Sequence, residues 1–197
     1  MAEVVTLPKG TAIHPHLNTP DFKFAEHGAY QTRLSVPVEA AKPVMDKIAK
    51  FFEETWNKKM NPSDNSCWKL DEDDQGERTG LVNFNVKAVN RKNRKTGEIW
   101  DRKPKIVDAK GAPTAAKIGK GSTIRIGCEL YAWDSNGKKG VSLQPVIVQV
   151  IELVEGATSV SLADFGIEEE DGYSASDDAE VMDLDEGIVE VDDHDDF

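Results

Sequence analysis

Apolar and polar positions alternate along most of this chain, and one stretch departs from that period. From Tyr30 to Val38, the residues Tyr30, Leu34, Val36 and Val38 fall on one face while Gln31, Arg33 and Ser35 fall on the other. This is the period-two mark of a half-buried strand. Between about Glu39 and Met60 the spacing turns to three and four, with Ala41, Val44, Met45, Ile48, Phe51, Phe52 and Trp56 on one side of an amphipathic helix. Pro43 falls in its first turn, where the missing N–H has no intrahelical partner to lose. Phe51, Phe52 and Trp56 are expected in the core, together with Tyr30 and Phe84. Residues 61–80 read as a polar loop.

Strands dominate the remainder. Leu81 to Asn90 alternates with Val82, Phe84, Val86 and Ala88 inward, the basic stretch "NRKNRKTGE" turns the chain, and Glu98 to Asp108 forms a further strand. A Gly- and Lys-rich connector leads to Ser122–Asp134, where Ile124, Ile126, Cys128, Leu130 and Ala132 share one face and Arg125, Gly127, Glu129, Tyr131 and Trp133 the other. Ser135-Asn136-Gly137 supplies a hairpin turn, since Asn-Gly reaches positive φ with little strain, and Val141–Val154 is a long strand apolar on both faces. Residues 1–28 read as an irregular start with one broken strand, belonging to the body. Five or six strands with one inserted helix predict a mainly β protein built as a small barrel, of which the OB-fold is the commonest nucleic-acid-binding version. The barrel is assigned to residues 29–160 and a tail to residues 161–197.

Charge divides the chain more sharply than hydropathy does. The net charge of the 197 residues is -12, yet from Glu168 to Phe197 there are 15 acidic residues and no Lys or Arg, which leaves 21 acids against all 24 bases in residues 1–167, a body of +3. Between Lys87 and Lys139 the balance is +9, from 14 bases and five acids. A basic middle joined to an acidic end is unlike an ordinary mixed surface and points to a polyanion partner for the body. The alternation of acids with Val, Met, Leu and Ile in "DDAEVMDLDEGIVEVDDHDDF" cannot offset chain entropy by core burial, so the tail is expected to be disordered before binding. Its tip, Asp192, Asp193, Asp195, Asp196 and Phe197, reads as a docking peptide: an aromatic anchor among carboxylates suits a basic pocket.

The candidate chemistry is stacking plus phosphate contact. Tyr131 and Trp133 stand on the polar face of their strand with Arg125, and bases of single-stranded nucleic acid stack on such rings without sequence preference. Lys138 and Lys139 in the adjoining hairpin are placed to hold phosphates, Trp100 and Arg102 share a strand face, and Arg33 points outward from its own strand. Arg91, Lys92, Arg94, Lys95, Lys103 and Lys105 form a basic cluster with few neighbouring acids.

Enzyme and metal readings fare worse. "DEDDQGERTGLV" starts like a calcium loop but has Val82 where a bidentate Glu is required. No GxxxxGK[ST], HExxH or GxSxG occurs, His14 and His16 read as loop residues, and Cys67 and Cys128 lack metal or disulfide spacing and are expected as two buried thiols. Neither a catalytic residue, a cofactor nor a metal is expected. With no apolar run of about 18 residues and no basic-then-apolar start, a soluble cytoplasmic protein without a membrane partner is expected. The competing reading from another class is an acidic-tailed adaptor or chaperone for basic proteins.

The helix inserted after an early strand, "VDAKG" at 107–111, "IGKGS" at 118–122, the "YAW" of Tyr131 and Trp133, and the closing "DDHDDF" together resemble the replicative single-stranded DNA-binding proteins of T7-like phages. The resemblance covers roughly residues 28–155 and the tail tip. It implies an OB-fold that coats single-stranded DNA in replication, recombination and repair in an infected bacterial cell, and a homodimer. It further implies a tail that contacts replisome proteins (polymerase, helicase-primase) and competes with DNA, duplex DNA becoming a ligand once the tail is gone. Tyr131 and Trp133 match family aromatics at the DNA face and Phe197 the terminal aromatic. No family role carries over to the basic residues between Arg91 and Lys105.

Overall fold

A computed structural model describes residues 3–155 of the chain. Strands β1 (Val4–Thr6), β2 (Gly10–Asp21) and β3 (Ala29–Pro37) precede helix α1 (Val38–Trp56). After it come β4 (Trp68–Glu72), β5 (Arg78–Val89), β6 (Arg91–Lys92), β7 (Ile99–Trp100), β8 (Lys105–Val107), β9 (Thr123–Ser135) and β10 (Lys138–Glu152). The tail assigned to residues 161–197, with Asp192, Asp193, Asp195, Asp196 and Phe197, lies outside the described residues.

Five strands close on themselves. β2 pairs with β3, β3 with β5, β5 with β10, β10 with β9, and β9 returns to β2. All these pairings are antiparallel except β5 with β10, which meet in parallel at Leu143 and Val86. This is the strand circuit of an OB-fold barrel, with β1, β4 and β8 added on its outside edges. The pleat decides what fills it: Leu34 and Val36 from β3, Val82, Phe84 and Val86 from β5, Ile124 and Ile126 from β9 and Leu143 from β10 are all fully or almost fully buried. Their outward neighbours Arg33, Asn85 and Arg125 remain wet or half wet.

Helix α1 touches β1, β3, β5, β9 and β10, so it lies across one end of the barrel and stops it. Ala41, Ile48 and Phe52, one helical stripe, are fully buried, while Val44, Met45, Phe51 and Trp56 pack on the same cluster from its margin. The helix has no side-chain N-cap and ends at Trp56, four residues short of the expected Met60, with Asn57 capping it in a left-handed conformation. No helix among the described residues is long and apolar enough to cross a membrane.

Three sequence expectations need correction. Residues 61–80 are not simply loop: one 3-10 turn at Pro62–Asp64 leads to β4, which pairs antiparallel with β5. The tight turn between them is made by Asp73, whose carboxylate accepts the Gln75 and Glu77 backbone N–H groups, so acids that hide the strand pattern make the hairpin. The expected strand Glu98–Asp108 is split into β7 and β8 at Asp101–Pro104, where Pro104 offers no N–H and the Arg102 N–H goes to a side chain. The irregular start is a barrel strand, β2, whose ladder to β3 slips between Ile13 and His16 because His14 has φ 49° and Pro15 lacks a donor. His14 and His16 accordingly sit in a strand and not in a loop.

Other expectations stand. Asn136 and Gly137 both take positive φ (52° and 78°) in the β9–β10 turn. Cys67 and Cys128 are buried free thiols. Burial pushes the Cys67 thiol up to about 12, and it donates a 3.1 Å bond to the Val141 carbonyl. Burial likewise raises Cys128. Tyr30 is core, as expected, and its phenol is pushed up to about 12 by burial and by the neighbouring Asp101 carboxylate.

Candidate nucleic-acid interface

The basic hairpin after β5 folds back over the outer face of β9 and β10. β6 pairs with β7 so that Arg91 stands opposite Trp100. The Arg91 guanidinium lies 5.4 Å from the Tyr131 ring centroid, and that of Arg102 lies 5.1 Å from the Trp100 ring centroid. Both distances are within cation–π reach. The rings stay open to solvent all the same: Tyr131 is 40% and Trp100 63% exposed.

Arg102 is the hub of this cluster. Its guanidinium donates to Gln144 Oε1 on β10. Burial, and then the charge of Arg91, hold its pKa below the ordinary arginine value, while Glu129 and Tyr131 act in the opposite sense. Gln144 is itself buried and stands opposite Glu129 in the β9–β10 ladder. Four residues singled out from sequence, Arg91, Trp100, Arg102 and Tyr131, are therefore one constellation contributed by three segments of chain.

A second basic surface occupies the outer face of β2, β3 and β5. Ladder positions align His16 with Gln31 and Gln31 with Lys87, then Ile13 with Arg33 and Arg33 with Asn85. These residues floor an open groove of about 570 Å³ that also takes in His14, Lys23 and Phe24. The groove wall is the loop between β2 and β3. Asp21 braces it, accepting the Lys23 backbone N–H at 2.9 Å and Gln31 Nε2 at 2.7 Å. The first of these bonds, with His16 and Gln31 alongside, holds the Asp21 carboxyl below the usual carboxylate range. The loop carries two bare aromatics, Phe22 at 62% and Phe24 at 81% exposure, with Lys23 Nζ 5.3 Å from the Phe24 ring centroid.

Not every expected residue joins these surfaces. Trp133 is half buried, lying over Gly140 so closely that a Cβ there would come within 2.2 Å of its ring. Lys139 sits 4.9 Å from the Trp56 ring centroid at the far end of α1, and Lys138 is exposed in the adjoining strand end. Arg125 is six residues from Tyr131 along β9, roughly 20 Å at strand rise, beside Gln149. Lys92, Arg94 and Lys95 are exposed along the basic hairpin, whereas Lys103 lines a small groove with Lys117 and Lys105 is exposed on β8. Sequence reading missed Phe22, Lys23, Phe24, His14, His16 and Lys87. The signal for the loop was present in "DFKF", two large apolar residues flanking a lysine in an otherwise polar turn.

With this geometry in hand, comparison with solved structures is decisive for the fold. The chain superposes on gp2.5, a single-stranded DNA-binding protein encoded by bacteriophage T7, with a TM-score of 0.59 and 26% sequence identity, over 89% of this chain and 100% of that one. The chain has the fold of phage single-stranded DNA-binding proteins. The single-stranded DNA-binding protein of bacteriophage Enc34 shares it at TM-score 0.58 both as a C-terminal truncation (13% identity, 78% of this chain and 87% of that one) and in complex with ssDNA (14% identity, 78% and 89%). At those identities the Enc34 likeness speaks for the fold alone. No protein-family model and no curated protein sequence matches the chain.

Proposed function

We propose that this protein coats single-stranded DNA without sequence preference, as a non-enzymatic partner of phage DNA replication, recombination and repair in the cytoplasm of an infected bacterium. One observation carries the reading: two solvent-open rings, Tyr131 and Trp100, each backed by an arginine, on an OB barrel whose β2–β3–β5 face is a basic groove. Rings offer every base a stacking surface, and the flanking cations offer each phosphate a counter-charge. Likeness to T7 gp2.5 supports the same reading.

Titration with oligo(dT) tests it. Stacking on Trp100 should quench intrinsic fluorescence, and log K should fall linearly with log salt at a slope of about 0.7 per phosphate neutralised. Neither quenching nor a mobility shift would leave the adaptor or chaperone reading in possession of the field.

The acidic end belongs to the same proposal. Fifteen carboxylates tethered to a basic body act on it at an effective concentration of order millimolar, so they compete with DNA and leave only better ligands bound. Deleting residues 168–197 should tighten binding to oligo(dT), most at low salt, and admit duplex DNA. Equal affinities of the truncated and intact proteins at low salt would refute self-competition. In this scheme Phe197 anchors the tip, with Asp192, Asp193, Asp195 and Asp196, on replisome partners such as the polymerase and helicase-primase, and the working unit is a homodimer.

A further inference from the structure

The two surfaces described above lie on different strands of the barrel, yet a single side chain ties them together. Asn90, directly after β5, is 6% exposed, and its side-chain amide and backbone N–H are engaged with two other segments. Its backbone N–H donates to the Gly28 carbonyl at 3.0 Å and its Nδ2 to the His27 carbonyl at 3.0 Å, both at the end of the loop that carries Phe22, Lys23 and Phe24. Its Oδ1 accepts the Arg102 backbone N–H at 2.8 Å. A carbonyl on one side and an N–H on the other fix the orientation of the amide, because only Nδ2 can donate and only Oδ1 can accept.

Neighbouring contacts reinforce both arms. Gly28 has φ 81° and stands so close to the loop that a Cβ would meet Pro20 Cβ at 2.8 Å and Phe22 Cε1 at 3.1 Å, so the Phe22 ring is laid against the residue that accepts the Asn90 backbone N–H. On the other arm, the Tyr30 phenol faces the carboxylate of Asp101, the residue between Trp100 and Arg102, closely enough for that charge to raise its pKa. The aromatic loop and the Arg–aromatic hairpin are thus fastened to the same end of the β3–β5 ladder.

We infer that Asn90 is a positioning residue that holds the Phe22–Phe24 loop and the Trp100–Arg102 segment in one frame, making the two surfaces halves of one continuous path for a single strand. The inference rests on the single-stranded DNA reading and deepens it. A strand bound on one half presents its next nucleotides to the other at a fixed distance, and affinity gained this way depends on the relative placement of the halves and on ligand length. Short ligands, which occupy one half, are indifferent to it.

The experiment compares oligo(dT) of graded length, from about 4 to about 20 nucleotides, on the intact chain and on Asn90→Asp. That substitution keeps the acceptor for Arg102 N–H and turns the donor facing His27 O into a second acceptor, which breaks the side-chain bond to the loop and sets two oxygens against each other, leaving only the backbone bond to Gly28 on that arm. The expected result is a loss of tenfold or more for the longest ligand and little change for the shortest. The same factor lost at every length, as an added negative charge or a damaged fold would give, overturns the inference, and so does no loss at any length. Should Asn90→Asp fail to fold, Tyr30→Phe, which deletes only the hydroxyl facing Asp101, decides by the same length comparison. If the intact chain binds no oligo(dT), the failure lies with the DNA reading and not with Asn90.

Discussion

Replacing Tyr131 and Trp100 together by alanine is expected to weaken oligo(dT) binding by about 2–5 kcal/mol, roughly thirtyfold to several thousandfold, at one stacked base per ring. The salt slope should hardly change, since a ring displaces few counterions. Folding should be spared as well, because both side chains are exposed and neither belongs to the buried cluster. Fluorescence or mobility titration at two or more salt concentrations, with a thermal melt of each variant, separates these terms. A double variant that melts normally and binds as tightly as the intact chain would remove the hairpin cluster from the interface.

Phe52→Ala should produce the largest loss of stability, about 3–5 kcal/mol, a substantial part of the 5–15 kcal/mol that holds a domain together. Phe52 is 0% exposed on the inner stripe of α1, the helix that stops the barrel end and touches five strands. A site so confined cannot collapse around the lost ring, so the cavity cost adds to the transfer cost. Urea unfolding should show a lower midpoint with an unchanged m-value. A midpoint within the scatter of surface variants would mean that the helix is not a structural stopper.

How far the sequence could be read depended on whether local pattern or long-range convergence was at stake. β3, β5 and β9 alternate cleanly because each has one face in the core and one in water, and the Asn136-Gly137 turn has a backbone requirement that only a few residue types meet. β2 was only half legible, since His14-Pro15 breaks both its ladder and its period in the middle. β4 was missed because its alternation is only Trp68 and Leu70 against Lys69 and Asp71, too short to stand out from the acidic run that follows, and it pairs as an added strand along β5. The site shows the same division. Tyr131, Trp100, Arg91 and Arg102 could each be picked out from strand faces and charge, but 40 residues separate Arg91 from its ring, and no periodicity encodes that contact. Asn90 was invisible for a related reason: a lone amide at the end of a strand carries no pattern, and its role lies wholly in the three segments it joins.

The arginine-backed rings have a consequence for the protein when it holds no DNA. Large aromatic surfaces left bare in solution are sites of self-adhesion. A guanidinium resting on one ring face puts a positive charge where another molecule's apolar surface would otherwise settle, and like charges on approaching copies repel. Tyr131 and Trp100 can therefore stay open to a polyanion while being unattractive to one another, and the same two arginines that make the rings welcoming to nucleic acid keep the unloaded molecules apart.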